Sequence, residues 1–76
     1  MTFEAALPLL KKGKKLIRSN WEGSEEYIFL VTQPDFNGEA VNPYFLIKTR
    51  ETPSLSQFQP TVCDVLADDW QVVAAS

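Results

Sequence analysis

Four consecutive residues, Arg18-Ser19-Asn20-Trp21, set a cation, two hydrogen-bonding groups and an indole side by side. That set suits a nucleotide, because an indole stacks on a base, a guanidinium forks onto a phosphate, and an amide reads a base edge or a ribose. The same residues would equally serve as a tryptophan plugging the end of a core, with Arg18 on a surface carboxylate. A second group, Asp68-Asp69-Trp70, puts two carboxylates directly behind a predicted short helix. There they face its negative end, at a cost of roughly 0.3–1 kcal/mol. Asp69 then accepts ribose hydroxyls, pairs with Arg18, or joins Asp68 in local turn bonds. Phe58 stands in a polar stretch and is either a core anchor or a stacking face. Cys63, among Val62, Val65 and Leu66, reads as plain core.

Other chemistry is harder to build from this inventory. The chain has no histidine and a single cysteine, so it lacks a Ser-His or Cys-His pair and the usual general base near neutral pH. A carboxylate pair remains for acid–base work, which weighs against an enzyme without excluding one. One thiol and scattered carboxylates give no zinc spacing, and no intrachain disulfide forms. No metal or other cofactor is expected. Nor does the sequence show a signal peptide, a long apolar span or a lipidation motif. With a free thiol, that reads as a protein of the reducing cytoplasm, without a membrane partner.

The net charge of −3 is unevenly spread. Residues 1–18 carry Lys11, Lys12, Lys14, Lys15 and Arg18 against Glu4, a local balance of +4, and the remainder balances at −7. Lysines at a helix C-terminus suit its dipole. Read functionally, the cluster is a local anion site on an acidic protein, fit for a small phosphorylated ligand and too narrow for a long nucleic acid.

The elements that must position these residues follow from periodicity and punctuation. Thr2 caps a helix with Phe3, Ala6, Leu7 and Leu10 on one face, and Gly13 stops it. Pro8 inside it predicts a kink or a short first turn. Lys15 to Arg18 reads as a short strand. Tyr27–Thr32 and Tyr44–Lys48 read as strands rich in aromatic and β-branched residues. Residues 33–43 read as a loop, and residues 49–60 as irregular, with Pro53 and Pro60 blocking regular structure. Thr61 caps a short helix through Ala67, and Trp70–Val73 closes as a strand. Residues 1–76 form a single domain.

A chain of 76 residues buries only about 60% of its unfolded surface and is marginal alone. Both long strands are apolar on consecutive positions, yet two short helices cover only one sheet face. The other face is therefore expected to meet further copies of the chain, making a homo-oligomer built on sheet faces.

Several segments resemble the second Thoeris anti-defence family of small phage-type proteins. They are Thr2-Phe3-x-x-Ala6-Leu7, Lys12-Gly13-Lys14-Lys15, Arg18-x-x-Trp21 and Asp64-x-Leu66-Ala67-x-Asp69-Trp70-x-x-Val73. The family commonly carries Pro-Trp before its last helix, where this chain has Gln57-Phe58, and Pro8 is a second departure. The resemblance implies an α+β fold, a small antiparallel β-sheet with an N-terminal helix and a short helix before the last strand. It implies sequestration without catalysis of a cyclic nucleotide immune signal, namely a cyclic ADP-ribose isomer made by a TIR protein, and of cyclic oligonucleotides in some members. It also implies a homo-tetramer of paired dimers with ligand sites between subunits, acting in the cytoplasm of an infected bacterium.

Carried over by position, Phe3 matches the opening aromatic, Phe58 replaces the loop tryptophan, and Asp69 is the aspartate of the Asp-Trp pair. These three lead for adenine stacking and ribose recognition. Arg18, Asn20 and Trp21 match the Arg-x-x-Trp stretch and either touch the ligand or shape the pocket. The alternative function is a protein-binding inhibitor of a defence nuclease such as a type II-A CRISPR Cas9, in which an acidic chain engages a basic channel.

Overall fold

The computed structural model describes residues 1–73. Helix α1 (Phe3–Lys11) begins where Thr2 Oγ1 accepts the Ala5 amide at 3.2 Å. It ends at Gly13, whose φ of +89° is the left-handed conformation that glycine adopts without a Cβ penalty. There the Gly13 amide donates to Leu10 and the Lys14 amide to Leu9, the paired bonds of a Schellman stop. Pro8 lies inside α1, which runs on through Lys11 without a shortened first turn. Pro8 and Glu4 are both exposed, so the carbonyl that proline leaves without a donor is within reach of water.

The fold is α+β. Strands β1 (Leu16–Arg18), β2 (Glu25–Val31), β5 (Tyr44–Thr49), β6 (Leu55–Phe58) and β7 (Trp70–Val72) form one antiparallel sheet in the order β6-β5-β2-β1-β7. Helix α2 (Val62–Leu66) precedes β7. Between β2 and β5, strands β3 (Asp35–Phe36) and β4 (Glu39–Ala40) make a small hairpin in the segment expected to be loop. Its turn is Asn37-Gly38, both at positive φ, the pairing that a two-residue hairpin favours.

Residues 49–60 also depart from expectation, because β6 lies among them and pairs with β5. Pro53 falls in the connecting turn, closed by the Thr49 amide on the Ser54 carbonyl at 2.8 Å, and Pro60 lies beyond the last β6 residue. The two prolines bracket the strand and remove no ladder bond from it.

The core is Ala6 and Leu10 of α1, Leu16, Ile28 and Trp70, all fully buried. Leu30, Phe45, Ile47 and Phe58 pack against it from the same sheet face. By strand alternation, the opposite face carries Tyr27, Phe29, Val31, Tyr44 and Leu46, all half-buried. Tyr27 and Phe29 lie 5.9 Å apart, and Lys15 Nζ sits 4.7 Å from the Tyr27 ring centre.

Helix α2 reverses an expectation. Cys63 is exposed, as are Val62, Val65 and Leu66 at 73%, 48% and 78%. The helix instead buries Asp64, 7% exposed. The apolar residues do share one helical face, but that face points outward, because the charged residue opposite has partners inside.

Candidate functional site

Six separate elements deliver the site. Phe3 comes from the first turn of α1, Arg18 from the end of β1, and Asn20 and Trp21 from the β1–β2 turn. Phe58 ends β6, Asp64 lies in α2, and Asp69 and Trp70 stand at the entry to β7. Antiparallel pairing sets Arg18 opposite Trp70, and Phe45 opposite Phe58.

Four aromatic rings form a continuous ladder. Phe3 is tilted on Trp70 at 5.5 Å, Trp21 stands edge-on to Trp70 at 5.5 Å, and Phe58 stands edge-on to Trp21 at 5.9 Å. These separations and angles suit the ring quadrupoles, at about 0.5–1.5 kcal/mol per pair beyond simple burial. Trp70 is the fixed centre, fully buried, with its indole N–H donating to the Asp64 carbonyl at 2.9 Å. Phe3, Trp21 and Phe58 are only half-buried, so part of their ring surface remains open to a ligand.

Beside the ladder lies a charged triad. Arg18 Nη1 donates to Asp64 Oδ1 and Arg18 Nε to Asp69 Oδ1, both at 2.9 Å. Asp69 Oδ2 accepts the Asn20 amide at 2.9 Å, and the Ser19 amide donates to the Asp69 carbonyl. The hydrogen bonds that Arg18 donates to Asp69 and Asp64 raise its pKa further above its already high value. The Asp69 carboxyl is held below its usual value, first by the Arg18 hydrogen bond and then by the Asn20 amide. Two carboxylates share one guanidinium, so the triad carries a net charge of about −1. That charge favours ligand hydroxyl or amino donors at this end over phosphate oxygens.

All six residues singled out in the sequence therefore fall into one region, each touching another of the six or the Trp70 and Asp64 they surround. Of the readings open for Asp69, the pairing with Arg18 is the one formed. Each Asp69 oxygen has one protein donor and retains acceptor capacity. Arg18 spends Nε and Nη1 on carboxylates, so its fork is not free for a phosphate. Asn20 is exposed, and no described residue engages its side-chain amide. Lys11, Lys12 and Lys14 are exposed around the α1–β1 turn.

Two residues at the heart of this arrangement were not among the six. Trp70 appeared only as part of a motif, and Asp64 only as a motif position. Thr61-x-x-Asp64 carried a usable signal, the capping-box spacing. The box forms, with the Thr61 amide on Asp64 Oδ2 at 2.9 Å and the Asp64 amide on Thr61 Oγ1 at 3.3 Å.

The domain model of the Thoeris anti-defense 2-like domain matches residues 1–73. The chain belongs to this family. It is 36% identical, over 86 aligned positions, to the Thoeris anti-defense 2 protein of Bacillus phage SP01, covering 97% of this chain and 96% of that one. Membership supports an anti-defence role of phage type. The match takes in every residue of the ladder and the triad.

Proposed function

We propose that this protein binds and sequesters a cyclic nucleotide immune signal, a cyclic ADP-ribose isomer made by a TIR protein, and releases it unchanged. Cyclic oligonucleotides are the second ligand class. The observation that carries this reading is the convergence of three half-open aromatic rings, Phe3, Trp21 and Phe58, with Asp69 and Asn20 at one end of the sheet. Phe3 and Phe58 supply stacking faces for adenine, and Trp21 extends the same wall. Asp69 accepts ribose hydroxyls through its unused acceptor sites, and Asn20 contributes its free amide. Arg18 acts by holding Asp69 in place. The action is non-catalytic and takes place in the cytoplasm of the infected bacterium.

The protein works as a homo-oligomer, a tetramer of paired dimers, with ligand enclosed between subunits. Two surfaces support self-association: the aromatic outer sheet face, and the outward apolar residues Val62, Val65 and Leu66 of α2. Light scattering that shows only monomer at micromolar concentration refutes this part.

Calorimetric titration with cyclic ADP-ribose isomers tests the binding. Tight binding is expected, with the ligand recovered intact after the complex is heated. Phe58→Ala should weaken it by roughly 5- to 150-fold, the worth of one stacked base. Flat titrations across the TIR products and cyclic oligonucleotides overturn the proposal. Inhibition of a Cas9 gives no reason for the aromatic convergence, and co-migration with Cas9 on gel filtration would be the result in its favour.

A further inference from the structure

Helix α2 buries one of its five residues, and that residue is charged. With Val62, Val65 and Leu66 turned outward, the helix is docked chiefly through polar contacts, and those contacts meet at Asp64. Its Oδ2 accepts both the Thr61 amide and the Thr61 hydroxyl, its Oδ1 accepts Arg18 Nη1, and its carbonyl accepts the Trp70 indole N–H.

Both branches of the site run back to this one residue. In the first, Asp64 fixes the Trp70 indole, Phe3 and Trp21 lean on Trp70, and Phe58 leans on Trp21. In the second, Asp64 fixes Arg18, Arg18 fixes Asp69, and Asp69 holds the Asn20 amide. A buried carboxylate satisfied by several donors costs most when one of its oxygens is lost, because those donors are then left unpaired.

We propose that Asp64 is the positioning residue of the ligand site: its carboxylate holds Arg18 and its carbonyl holds the Trp70 indole, so that α2, the ring ladder and the Asp69 acceptor are aligned together. The residue does not itself touch the ligand. The role rests on the ligand-binding reading given above.

Asp64→Asn is the incisive variant. An amide presents N–H₂ where one carboxylate oxygen stood, opposite either Arg18 Nη1 or the Thr61 amide, and both of these are donors. Hydrogen exchange of the Trp70 indole N–H, followed by NMR, should accelerate by about tenfold or more, while the Leu10 and Ile28 amides keep their protection. Affinity for cyclic ADP-ribose, measured by calorimetry, should fall by about tenfold or more.

Asp64→Glu keeps the charge and the capping reach and should recover most of both losses. Cys63→Ser, exposed on the same helix, should match the wild type in both. Unchanged indole exchange in Asp64→Asn overturns the proposal. So does acceleration shared equally by Leu10 and Ile28, which makes Asp64 a contributor to global stability alone. If Asp64→Asn does not fold, Thr61→Val, which removes the hydroxyl that bonds Asp64 Oδ2 and the Asp64 amide, carries the test: indole protection and affinity must fall together, and movement of one alone or of neither overturns it. If the wild-type protein binds no cyclic nucleotide, the ligand reading fails, while indole exchange still decides whether Asp64 positions Trp70.

Discussion

Replacing Trp70 by Phe separates the ladder's central hydrogen bond from its apolar packing. The indole is fully buried and donates to the Asp64 carbonyl at 2.9 Å. Phenylalanine removes that donor and leaves the carbonyl with only the longer bond from the Ala67 amide, 3.4 Å, at about 1–2 kcal/mol. It also removes roughly two buried carbons, worth about 1.5 kcal/mol. The expected loss is about 3 kcal/mol. A folded chain of 76 residues has roughly 4–11 kcal/mol in all, so the variant stays mostly folded, with the smallest margin if the wild type lies at the lower end of that range.

Urea unfolding followed by circular dichroism gives the loss directly, and the melting point should drop by roughly 12–24 °C. Trp21→Phe is the control. Trp21 is half-buried and its indole donates to no acceptor among the described residues, so it should lose about 1 kcal/mol. Equal losses in the two variants would refute the hydrogen-bond argument and reduce Trp70 to a space-filling role.

Two further expectations concern charge and burial. Because the Asp69 carboxyl lies below its usual value in the folded state, its contribution to stability is present above the unfolded pKa near 3.8 and fades as pH falls through the lower folded value. The stability gap between wild type and Asp69→Asn should therefore narrow below about pH 4, and a gap constant down to pH 2 by urea unfolding would be inconsistent with the Arg18 pairing. Leu66→Ser, at an exposed position, should change the stability of the monomer by no more than about 0.5 kcal/mol, whereas Leu10→Ala should cost about 2–5 kcal/mol. A comparable cost for the two in denaturant titrations would mean that the apolar side of α2 is inside.

Legibility differed from element to element for physical reasons. The caps at Thr2 and Thr61 and the stop at Gly13 were readable because each is a local bargain between one side chain or one φ angle and the nearest backbone groups. The strands β2 and β5 were readable from their aromatic and β-branched runs. Strand β6 was missed because Leu55-Ser56-Gln57-Phe58 has little intrinsic pull, and its pairing comes from β5 beside it. The orientation of α2 was missed for a related reason. Val62, Val65 and Leu66 define a face by spacing alone, but spacing does not say which side has a partner.

The sequence by itself determined the α+β class, the helix boundaries and the family, and it named six residues that the fold brings together. Local chemistry and motif order suffice for these. The tertiary structure decided what those residues do to one another. It turned Arg18 from a free phosphate fork into a clamp between Asp64 and Asp69, made Trp70 the buried centre of the ladder, and sent Cys63 to the surface. Each of those outcomes rests on pairings between residues about fifty positions apart or on a choice of buried face, and only the assembled sheet, with β7 laid against β1, brings the partners within hydrogen-bonding reach.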